Sequence, residues 1–172
     1  MNEERKNRKL LRLPNYDYNT PGAYFITFCT HNRKHLLSAV GAIQESPSLH
    51  LTVSGQIVER IIQNIPPHLN IAIDRYVIMP NHIHIVAVIP SSEAHPTFIE
   101  SEPYNRSTLS NFVGYIKMNA SKAIRQRYGD IDVWQRGFYE HVIRNQEDYD
   151  MIAKYIDENP LRWALDRYYT EE

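Results

Sequence analysis

The chain has 172 residues, a formal net charge of -1 and one cysteine, which suits a single domain with its own core and excludes an intrachain disulfide or a cysteine-based zinc cluster. Near-neutral charge argues against a uniformly basic nucleic-acid binder, so any basic surface has to be local. No stretch approaches the roughly 18 apolar residues of a spanning helix, and the opening MNEERKNRKLLRL lacks an apolar signal core, so a soluble, cytoplasmic protein without membrane contact is expected.

Residues 1–15 read as a basic arm carrying Arg5, Lys6, Arg8, Lys9 and Arg12. From Gly22, AYFITFCT alternates and is rich in aromatic and β-branched residues, which predicts a strand over 23–30. The segment after it reads as turns. TVSGQIVERIIQNI spaces Val53, Ile57, Ile61 and Ile65 for a helix over 52–65 that Pro66 and Pro67 stop. Two strands, 70–79 and 82–89, are expected as a hairpin joined at Pro80-Asn81. The polar, proline-bearing stretch 90–104 reads as a mobile loop. Leu109, Phe112, Val113, Ile116, Ala120 and Ile124 then mark a long amphipathic helix over 108–128. VWQRGFYEHVI over 133–143 ends in a short strand, and a helix over 145–158 runs to a stop at Pro160. This order of elements predicts one α+β domain over 1–172, a ferredoxin-like split-βαβ antiparallel sheet with helices on one face.

The hairpin contains the chemistry. In YVIMPNHIHIVAVIP, side-chain alternation sends His82 and His84 to one face and Ile83 and Ile85 to the other, with the two histidine Cα atoms roughly 7 Å apart. Two imidazoles desolvated among valines need partners; a shared cation or phosphate supplies them, as do backbone carbonyls. A metal would require a third ligand. Among twelve tyrosines, two stand four residues ahead of an asparagine on one helix face: Tyr155 before Asn159, and Tyr115 before Asn119. Either pair would put a phenol beside an amide oxygen, and spacing does not separate them. Residues 105–129 hold Arg106, Lys117, Lys122, Arg125 and Arg127 with no acid, a pattern that suits a phosphate-binding face as well as a solvated one.

The blocks MPNHIH, WQRGFYEHVIRN and YIDENPLRW, in this order, resemble the HUH-type single-tyrosine transposases, specifically the REP-associated tyrosine transposase branch. The likeness runs from about Tyr16 to Trp163. It implies the HUH endonuclease fold, a catalytic Tyr155, and a divalent metal, Mg2+ or Mn2+, on His82, His84 and Asn159. It further implies cutting of single-stranded or hairpin DNA through a 5'-phosphotyrosine intermediate, by a monomer or homodimer. On their own chemistry, Lys117, Lys122, Arg125, Arg136 and Arg144 are the candidate contacts to DNA phosphate, and Phe138 and Tyr139 the candidate stacking platforms. Two other classes compete: a domesticated, non-catalytic binder of structured single strands, and a phosphoesterase that uses metal-bound water and leaves no protein adduct.

Overall fold

The computed structural model describes residues 16–43, 46–91 and 107–171. The expected basic arm lies outside the described residues, and of the expected loop over 90–104 only Pro90 and Ser91 are described.

The first strand, β1 (Gly22–Cys29), follows the predicted alternation: Tyr24, Ile26 and Phe28 enter one core, Phe25 and Thr27 the opposite side. The stretch read as turns instead contains a hairpin, β2 (Ser38–Ile43) and β3 (Ser46–Leu51), paired into a separate two-stranded sheet. Its small residues and Pro47 hide the alternation that normally announces a strand. Helix α1 (Val53–Gln63) begins where the Thr52 hydroxyl accepts from the Gly55 N–H. Gly55 is obligatory at this point, because a Cβ there would stand 2.0 Å from the Leu37 carbonyl oxygen.

Strands β4 (Ala72–Ile78) and β5 (His82–Ile89) form the expected hairpin. Helix α2 (Thr108–Tyr128) is capped by Ser107 and buries all six of the apolar residues that predict it. Strand β6 (Tyr139–Ile143) and helix α3 (Gln146–Glu158), capped by Asn145, complete the order. Glu147 and Asp148 in the first turn of α3 favour its positive N-terminal end.

The main sheet runs β4-β5-β1-β6 with every neighbour antiparallel, the ferredoxin-like order expected. Helices α1 and α2 pack over the face carrying Tyr24, Ile26, Ile83 and Ile85. The third helix departs from the expectation of helices on one face. α3 lies over the other side, where Ile156 and Trp163 join Phe25, Val77 and Val86. Cover is needed there because β1 and β5 are central strands whose second face also carries apolar side chains.

A β-bulge at Asp74 fixes α3 against the sheet edge. Ile73 pairs with Ala87 and Arg75 with Val86, so Asp74 is the extra residue and the facing pattern shifts by one. Both neighbours then reach α3. Asp74 Oδ2 accepts from the Tyr149 hydroxyl at 2.6 Å, and the Arg75 guanidinium donates to both oxygens of Asp157 at 3.0 and 2.8 Å.

Candidate active site

The site forms where α3 and the segment after it cross the middle of β1 and β5. His82 and His84 are fully buried, their rings 4.5 Å apart between centroids. Each has its Nδ1 engaged by a neighbour. Asn81 donates its amide to the Tyr168 carbonyl, so its Oδ1 faces His82 Nδ1 as an acceptor at 2.9 Å. Thr27 stands directly opposite His84 in the β1–β5 register and meets its Nδ1 at 2.7 Å. With Nδ1–H donating to Asn81, His82 keeps its Nε2 lone pair toward the site, the tautomer a metal-binding imidazole needs, while the Thr27 hydroxyl fixes the position of the His84 ring.

Burial pushes His82 down to about 4, and burial with the neighbouring His82 and Arg167 charges holds His84 well below its ordinary value, so both rings are neutral at pH 7.

Tyr155 and Asn159, one helical turn apart, enter from α3. The Tyr155 hydroxyl lies 3.3 Å from His84 Nε2 and donates to Asp166 Oδ2 at 2.8 Å. The Asn159 amide donates to the same Oδ2 at 2.9 Å, which leaves Asn159 Oδ1 buried. Among the described residues, neither that oxygen nor His82 Nε2 has a hydrogen-bond partner. Burial, then the hydrogen bond to Asp166 and its charge, raise Tyr155 above an ordinary phenol, while Asn159 and Arg167 oppose them.

The other tyrosine–asparagine pair goes elsewhere: Tyr115 packs against the α1/α2 core, and Asn119 donates to its backbone carbonyl at 2.8 Å.

Asp166 was not singled out by sequence reasoning. Its ligand-capable oxygen lies with the His82 and His84 nitrogens in a group whose atoms are all within 4.8 Å of one another. No helical or strand spacing points to it, because a 3-10 turn at Trp163–Leu165 folds the chain back over the histidines. The returning segment also lays the Tyr168 ring 4.7 Å from that of His82, and Thr170 meets His35 Nε2 at 3.0 Å.

The basic residues are dispersed. Lys117 is partly buried on the α2 side, its amine spent on the carbonyls of Gln135 and Gly137, and desolvation lowers it to about 8. Arg125 donates to the Ile131 carbonyl and lies beside Asp130 and Asp132. Lys122, Arg136 and Arg144 are exposed. Of the two aromatic platforms, Phe138 packs on the α1/α2 core, whereas Tyr139 belongs to the α3 side.

Residues 21–159 match the family model described as IS200-like transposase. The chain belongs to the IS200-like transposase family. A relative from Haemophilus influenzae, named only as an uncharacterized protein, is 32% identical over 95% of this chain and 94% of its own length. A REP-associated tyrosine transposase of Escherichia coli is 25% identical over 82% of this chain and 67% of its own. A solved REP-associated tyrosine transposase bound to a REP hairpin has the same fold, with a TM-score of 0.61 at 22% identity, covering 91% of this chain and 77% of the other. The family that MPNHIH and YIDENPLRW resemble is thus the one matched, and REP-associated tyrosine transposases are among the proteins this chain is similar to.

Proposed function

We propose that this transposase cuts and rejoins single-stranded DNA next to a hairpin, with Tyr155 as nucleophile and His82, His84 and Asn159 as ligands of a divalent metal. The carrying observation is the convergence of Tyr155 on the histidine pair, 3.3 Å from His84 Nε2, beside two buried lone-pair atoms that lack partners among the described residues. A bound metal ion would supply Lewis-acid polarisation of the scissile phosphate.

The donor set fits such an ion: two imidazoles that burial keeps neutral, a partnerless His82 Nε2 and Asn159 Oδ1 among the described residues, and a carboxylate within reach. Mixed nitrogen and oxygen donors suit Mg2+ or Mn2+.

The chain's own groups account for the rest. Asp166 accepts the Tyr155 hydroxyl hydrogen and is placed to take the proton as the phenol oxygen attacks phosphorus. The P–O3' bond breaks, a 5'-phosphotyrosine link forms, and the departing 3'-oxygen takes a proton to become a hydroxyl. Attack by that hydroxyl on the phosphotyrosine reverses the sequence with the protein as leaving group, so no nucleotide triphosphate is consumed. Asn81 holds the His82 tautomer, and Thr27 fixes the position of the His84 ring. Exposed Lys122, Arg136 and Arg144 would contact backbone phosphate. A hairpin substrate is supported by the REP-hairpin complex of the structurally similar transposase.

The test is a labelled hairpin oligonucleotide with a single-stranded flank, incubated with protein and Mn2+ and resolved on a denaturing gel. A protein-linked band is expected with the native chain and none with Tyr155→Phe. An adduct that survives Tyr155→Phe, or cleavage with no adduct, overturns the proposal; binding without cleavage returns the reading to a non-catalytic hairpin binder.

A further inference from the structure

We propose that the cavity on the β6 side of Tyr155 is a nucleobase subsite, taking in one of the bases next to the phosphate that Tyr155 attacks. This inference rests on the reading above, and its test is built to fail separately.

The cavity has a volume of about 320 Å³, the scale of a small-ligand site. Phe25, Tyr139 and Met151 form its apolar side, and Tyr155 itself is part of the wall. The Phe25 ring meets Tyr155 edge-on at 6.1 Å and stacks on His84 at 5.1 Å, so one wall of the cavity is continuous with the histidine pair.

The polar side is built from two groups. His141 Nε2–H donates to Asp148 Oδ2 at 2.9 Å, and the Arg144 N–H holds the same oxygen at 3.2 Å. That commits Nε2 and leaves Nδ1 as the imidazole's atom for reading a base edge. Arg167 lies over the Tyr139 ring at 5.3 Å and lines the same space. It shares that lining with Tyr155, which puts a cation beside the phenol that the proposed reaction uses. Aromatic walls, a fixed hydrogen-bonding edge and a cation on the phosphate side are what a base with its sugar-phosphate would meet.

A second cavity touching Tyr155 is lined by Met151, Lys154, Glu158, Asn159, Arg162, Leu165 and Asp166; it offers no ring besides Tyr155 itself, and its two cations pair with Glu158. Of the two aromatics that the sequence offers as stacking platforms, the structure assigns the role to Tyr139, since Phe138 is spent on the core.

The experiment uses the full chain as Tyr155→Phe, which cannot cleave, with fluorescein-labelled pentathymidylate and an abasic pentamer carrying the same phosphates. The base-bearing probe is expected to bind roughly five- to a hundredfold more tightly, the range for one base–aromatic stack. Adding Tyr139→Ala should bring the two probes to parity with the abasic affinity unchanged. Tyr139→Leu, which keeps apolar bulk and loses the ring, should do the same if the alanine variant does not fold. A 5-iododeoxyuridine pentamer should photocrosslink to peptides containing Tyr139 or Met151. Equal binding of the probes, discrimination that survives loss of Tyr139, or crosslinks confined to other peptides would overturn the subsite. If the subsite alone is wrong, the protein–DNA adduct of the cleavage assay still forms; if only the chemistry is wrong, the stacking preference persists without an adduct.

Discussion

Asp166→Asn tests how the Tyr155 proton is held. In the native site, Asp166 Oδ2 accepts from the Tyr155 hydroxyl at 2.8 Å and from Asn159 at 2.9 Å, while Oδ1 accepts from the Tyr168 N–H at 2.6 Å. An asparagine can satisfy Tyr168 with its oxygen, but its NH2 then confronts the Tyr155 hydroxyl and the Asn159 amide, and the hydrogen bond to a charged acceptor is lost. Such bonds contribute about 1.5 to 3 kcal/mol. Tyr155 keeps 36% of its surface in solvent, which places the effect at the low end. About 1.5 kcal/mol is close to one pKa unit. The phenol should therefore ionise roughly one unit lower in the variant while staying above an ordinary tyrosine, because burial, the largest cause of the rise, is untouched. The assay is NMR titration of metal-free protein labelled at tyrosine Cζ, with Tyr155→Phe to assign the signal. An unchanged midpoint, or one that rises, would refute the claim that Asp166 holds this proton.

Acid should destabilise the metal-free protein through the histidines. Their folded pKa values lie below the unfolded value of about 6.5, so the unfolded chain binds more protons as pH falls through that value, and stability declines until about pH 4, where His82 also titrates when folded. His82 alone should contribute about 2.5 kcal/mol to the difference between urea melts at pH 7 and pH 4.5, the part that should vanish in His82→Leu. Gly55→Ala should lower stability by about 1 to 3 kcal/mol despite alanine's better helix propensity, because its methyl would collide with the Leu37 carbonyl; thermal melts read this directly. Lys117→Met should destabilise the fold by releasing two carbonyls, whereas Lys122→Ala should leave the melt unchanged and reduce the salt slope of DNA binding by about one; matched melts and salt titrations separate the two roles.

Where local pattern and tertiary burial agree, sequence reading located the elements. The alternation of AYFITFC and the spacing of Leu109, Phe112, Val113 and Ile116 each name a buried face, and each is buried as named. The β2–β3 hairpin escaped because SAVGAI is built of small residues without a clear alternation, and the alternation of SPSLHL is short and carries a proline that reads as a turn. The side of the sheet that α3 takes is not written in α3. Its apolar positions state that one face is buried, not against which partner, and the answer comes from Phe25 and Val86 on two other elements. Of the candidate site, His82 with His84 and Tyr155 with Asn159 each came from local spacing, but choosing Tyr155 over Tyr115 took the family resemblance. Asp166 and Arg167 depend on the chain turning back after Trp163, and no short-range period encodes that return.

The bulge at Asp74 gives the placement of Tyr155 an unusual dependence on a single inserted position in an edge strand. Removing that residue would restore an unbroken ladder between β4 and β5, yet it would also take away the acceptor for Tyr149 and change which side chain precedes Arg75 on the way to Asp157. A chain more regular as a sheet would thus hold α3 with fewer moorings, so a length change some eighty residues upstream of Tyr155 bears on where its hydroxyl sits.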